Sequence, residues 1–186
     1  MVRCQLRNNR RAARLQPSRP ERVAPALALI AWTLAAACVE APQLTLPSAD
    51  EVEGYYASET DLSAEINGNV AVVTVVQSAN QLRRGGSLWA RVGPYIYLFT
   101  EETHRLLEDF PGLAAVRVET QTAGGVPVAS ALLTRDELSG VLWRRSLNIA
   151  GQARRDGTER PGLLEDLIRW GEDHTEHEYS ERYVPR

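Results

Sequence analysis

The chain has 186 residues and no lysine; all 21 of its basic residues are arginine. It has two cysteines, two phenylalanines and one methionine. We read the uniform use of arginine as a compositional bias rather than as chemistry. Without lysine the chain lacks the side chain that a P-loop directs at phosphates, and Arg83-Arg84-Gly85-Gly86 also lacks the spacing of that motif. The segment therefore reads as a turn. There is no Gly-x-Ser-x-Gly, so a serine-hydrolase elbow has no support. There is no His-Glu-x-x-His, so the usual zinc-protease helix is absent. The apolar run from Ala24 to Ala37 has only fourteen residues. As a helix it rises about 21 Å, short of the roughly 30 Å hydrocarbon core, and makes a poor permanent span.

What precedes and follows that run gives it a meaning. Seven arginines and one acid lie before it, and Ala35-Ala36-Ala37-Cys38 closes it. A basic lead, a short apolar core, three small residues and a cysteine resemble a bacterial lipoprotein signal peptide. Small side chains let an extended backbone enter a peptidase cleft, and the cysteine sulfur can take a diacylglyceryl thioether. Ala35 stands where leucine is usual, with Leu34 one place earlier. The competing readings are a core helix of a cytosolic domain, a plain secretory signal cut after Ala37, and an uncleaved anchor. Arg10-Arg11 raises twin-arginine export, but Ala12-Ala13-Arg14-Leu15 matches that signal poorly. The resemblance implies removal of residues 1–37 and a lipid anchor on Cys38. It also implies a cell-envelope location, with the outer membrane favoured where there is one, because Val39 replaces the aspartate that commonly retains such proteins.

Removal of 1–37 leaves 149 residues, enough for one domain, with Cys38 as the sole cysteine. A disulfide framework, thiol catalysis and cysteine-ligated zinc are then excluded. The mature part carries fourteen arginines and twenty-three acids, a net charge of −9. An acidic domain repels nucleic acid and anionic headgroups, which leaves proteins, cations or neutral ligands as partners.

Residues 39–50 carry two prolines and no clean period, and read as a tether of roughly 40 Å if extended. Leu62, Ala64 and Ile66 alternate with polar residues, Asn67-Gly68 favours a tight turn, and residues 70–76 are β-branched on both faces. These form a predicted hairpin. Leu88–Val92 and Tyr95–Phe99 read as strands separated by Gly93-Pro94. Thr100 caps a predicted helix that ends at Pro111-Gly112. Residues 114–122 and 126–134 form a second predicted hairpin, with Pro127 at an edge or a late start. A helical period runs from Arg135 to Gly157, and Pro161 opens a shorter helix. The expected fold is α+β: a mainly antiparallel sheet of five to six strands, one helix between hairpins and two C-terminal helices packed on the sheet. The expected division is 1–37 signal peptide, 38–56 lipidated cysteine and tether, and 57–186 a single domain.

Three groups of residues are candidates for chemistry. His174 and His177, at i and i+3, share a predicted helix face among carboxylates, and imidazole with carboxylate suits a divalent metal. The alternative is a solvated acidic helix end, with no metal and no cofactor. His104 lies near Glu101 and Glu108, where an acid–base pair is conceivable but a surface histidine is the simpler reading. Trp89, Tyr95, Tyr97, Phe99, Trp143 and Trp170 supply a core, or a peptide or glycan groove if they face one opening. No complete catalytic set is legible. The expected role is a lipid-anchored, non-catalytic interaction with another envelope protein.

Overall fold

The computed structural model describes residues 44–57 and 62–185. The expected signal peptide, Cys38 and the first part of the expected tether lie outside the described residues. The order is α1 (Ala49–Tyr55), β1 (Leu62–Asn67), β2 (Val70–Val76), α2 (Ala79–Leu98), α3 (Glu101–Asp109), β3 (Ala115–Gln121), β4 (Pro127–Thr134), α4 (Gly140–Asp156), α5 (Gly162–His174) and β5 (Glu176–Tyr179). The fold is α+β. One five-stranded sheet runs β1-β2-β3-β4-β5. Three pairs are antiparallel and the central pair, β2 with β3, is parallel.

Both expected hairpins form. Asn67 pairs with Val70 around Gly68, whose φ of +62° is the left-handed backbone that the turn demands. In the second hairpin a bulge at Thr120/Gln121 lies across the ladder from Pro127, which opens β4. Proline there needs no ladder donor, so β4 lies inside the sheet, between β3 and β5.

Residues 88–99 depart from the expected strands. Residues 88–98 belong to α2, one helical element kinked at Gly86, where φ is +53° and ψ −134°, and Phe99 is its C-cap. The Arg83–Gly86 turn signal thus marks a break within a helix. Val92, Tyr95 and Phe99 recur at helical spacing and are fully buried. Packing of that stripe over β3 and β4 overrides the strand preference of aromatic and β-branched residues. Pro94, inside this helix, cannot donate to the Ala90 carbonyl. With two helices between β2 and β3, the connection is a crossover, which makes this pair parallel.

The tether is also shorter than expected. Ser48 accepts from the Glu51 N–H while Glu51 accepts from the Ser48 N–H, a capping box that starts α1. Val52 and Tyr56 are buried in the main core. Glu53 accepts from the outward Ala64 N–H of edge strand β1 at 2.9 Å, which blunts that edge. The last helical segment matches expectation: Gly157 caps α4 and Pro161 precedes α5. Arg135, expected as the start of that helix, instead sends its guanidinium to the carbonyls of Leu107, Phe110 and Leu113, closing the C-terminal end of α3. Helices α4 and α5 pack together and against α2, on one side of the sheet. Among the described residues no helix is long and apolar enough to cross a membrane.

Candidate functional site

Strand alternation gives the sheet two unlike faces. Val73, Val75, Val116, Val118, Ala131 and Leu133 face the helices and are buried. The opposite face carries two registered rows. One is Ser63, Thr74, Glu119, Ser130 and Glu178; the other is Glu65, Val72, Arg117, Leu132 and Glu176. A groove of about 470 Å³ lies on this face, lined by Thr74, Arg117, Glu119, Gln121, Pro127, Ser130, Glu178 and Ser180 among others. Among the described residues, Arg117, Glu119 and Glu178 take part in no ion pair. The groove therefore presents a guanidinium fork, two carboxylates and hydroxyls at fixed spacing on a rigid sheet. Such a set suits recognition of a polar ligand or peptide carrying both signs of charge. Arg117 and Glu119 were legible as the outward side of an alternating strand. Glu178 was not, because the tail reads as helix.

A second polar arrangement joins α2, α5 and β5. Arg91 Nη2 donates to Glu172 Oε1 at 2.5 Å, and the Tyr179 hydroxyl donates to the same oxygen at 2.9 Å. The Tyr95 and Tyr179 hydroxyls are 2.7 Å apart. Tyr179 spends its proton on Glu172, so Tyr95 is the donor between them. Burial pushes Tyr95 up to about 12. Burial, followed by Tyr95 and Glu172, drives Tyr179 higher still. Burial raises Glu172, but the hydrogen bonds from Arg91 and Tyr179 outweigh it and hold the carboxyl below its ordinary value. Both phenols stay neutral near pH 7 and act as donors, so the group fastens β5 to the helices rather than moving protons.

The sequence candidates are dispersed. His174 ends α5 and His177 lies in β5, so the two do not share a helix face. The chain turns extended at Thr175, whose side chain bonds back to the Gly171 carbonyl. His174 Nδ1 faces Glu137 Oε1 at 3.3 Å and its ring packs on Trp170. His177 Nδ1 is 3.4 Å from the Thr175 carbonyl. Among the described residues, no group of three or more histidine, cysteine or acidic side chains is placed to hold a metal ion. His104 packs on Trp143 and lies 3.5 Å from Glu108 and 4.0 Å from Glu101, both largely exposed. Tyr95, Phe99 and Trp143 are buried, and Trp89, Tyr97 and Trp170 pack half-buried against the same core, so the aromatics line no common groove. Comparison with known proteins finds no matching family model, no similar curated protein and no similar solved structure.

Proposed function

We propose that this chain is a lipid-anchored envelope protein whose domain recognises another envelope protein through the open face of its sheet. The anchor rests on the basic lead, short apolar core and Ala-Ala-Ala-Cys38 sequence. The recognition surface rests on the groove that Arg117 lines together with Glu119 and Glu178. Opposite charges that take part in no ion pair among the described residues select an occupant by complementarity, and a hydrogen-bonded sheet loses little backbone entropy on binding.

Two measurements test the two parts. Cys38→Ala should abolish metabolic acyl labelling and leave an unprocessed precursor; normal labelling of that variant refutes the anchor. Crosslinking of the full-length protein in its own membranes should capture a stoichiometric partner. Arg117→Glu should lose it, while Arg144→Glu, an exposed charge reversal on α4, should keep it. Equal capture by both variants refutes the sheet face as the binding surface.

A further inference from the structure

The shortened tether constrains where the domain sits. The Gly112 N–H donates to the Thr45 carbonyl at 3.1 Å. A Cβ at Gly112 would lie 2.5 Å from that oxygen, so only glycine permits this approach. Pro47 is buried and Ser48 caps α1, so the chain is fastened to the domain from residue 45 onward. Six peptide units separate Cys38 from Leu44, and fully extended they span about 20 Å. That is about half the reach of an extended chain over residues 39–50.

The fastened end is also where apolar side chains face water. Leu44 is 66% exposed and Leu46 45%; the other exposed large apolar side chain among the described residues is Val141. A lone exposed leucine is ordinary. Two at the base of a short lipid tether lie where a bilayer would meet them. Gly112 and the Asn67–Gly68 turn mark this end of the sheet, because the Ala114 N–H donates to the Asn69 carbonyl at 2.8 Å. The Ala123–Gly125 turn and the groove beside Gln121 and Pro127 lie toward the other end, about 20 Å along β3.

We infer that Leu44 and Leu46 seat this end of the sheet on the bilayer surface, so that the groove is held toward the end of the sheet farther from the membrane. The inference rests on the lipid anchor at Cys38. The partner is the uncharged interfacial region of a lipid bilayer, since the domain's net negative charge disfavours anionic headgroups.

The full-length protein, reconstituted in vesicles of phosphatidylcholine and phosphatidylethanolamine, tests it. Fluorophores are attached at Asn67→Cys or Ala123→Cys, both exposed sites, and quenched with nitroxide-labelled lipid. Acylated Cys38 does not react with the label, and intact mass reports the acyl chains. Quenching should be several-fold stronger at 67 than at 123. Leu44→Ser with Leu46→Ser should bring the two sites to parity. Equal quenching in the parent chain, or a difference that survives the double serine variant, overturns the seating while the measured acyl mass leaves the anchor standing. A mass without acyl chains overturns the anchor and the seating together.

Discussion

Gly171 offers a sharp test of the helix layer. It lies in α5 directly against the Tyr95 ring of α2, and an added Cβ would sit 2.4 Å from Tyr95 Cδ1. Comfortable carbon–carbon contact is about 3.5–4.0 Å, so the ring or the helix must move by about 1 Å. The ring has little room. Tyr95 is fully buried, lies stacked at 6.1 Å from Phe99 and is held through its hydroxyl by Tyr179. Alanine in a helix interior is worth about 1 kcal/mol over glycine. Overpacking a closed core costs about 1–3 kcal/mol, and the tight contact here places the cost at the upper end. Gly171→Ala should therefore lower stability by about 2 kcal/mol, a fall of roughly 4–8 °C in melting temperature for a domain of this size. Gly151→Ala, in α4 with nothing within 4 Å of its Cβ, isolates the propensity term and should raise stability by about 0.5–1 kcal/mol. Urea denaturation of a chain beginning at residue 39 reads both. In a Tyr95→Val background, Gly171→Ala should lose most of its penalty. If Gly171→Ala stabilises as much as Gly151→Ala, α2 and α5 do not meet at this distance and the packing argument is wrong.

Two further outcomes follow from the polar groups. Stability should fall at alkaline pH: Tyr95 is raised from 10 to about 12, so its contribution is complete below pH 10 and lost between pH 10 and 12, about 3 kcal/mol by linkage. Tyr55, pushed to about 12 by its hydrogen bond to Asp109, and Tyr56 and Tyr179, raised chiefly by burial, act in the same direction. A melting temperature that stays flat from pH 9 to 11.5 would falsify the buried phenol network. Arg135→Lys should cost about 2 kcal/mol, nearly as much as Arg135→Met, because one ammonium cannot serve the three carbonyls that the guanidinium fork reaches; wild-type denaturation of the lysine variant would contradict this.

Local rules decided much of this protein. The Asn67-Gly68 turn, the β-branched run at 70–76, the Thr100 cap and the alternation of Val116 and Val118 with Arg117 and Glu119 were all readable, because each depends on neighbours within a few residues. The Ser48–Glu51 capping box is also local, but the prolines at 42 and 47 beside it give the segment the composition of a tether. Other features depended on contacts that no window holds. Residues 88–99 have strand-forming side chains, and only the fit of Val92, Tyr95 and Phe99 onto β3 and β4 makes them helical. His174 and His177 separate because the chain leaves α5 at Thr175 to pair with β4, an edge supplied by residues some forty-five positions earlier. The groove exists for the same reason: Glu178 meets Ser130 and Glu119 only after β5 joins the sheet, so its composition was set by sequence but its assembly by tertiary hydrogen bonding across the strands.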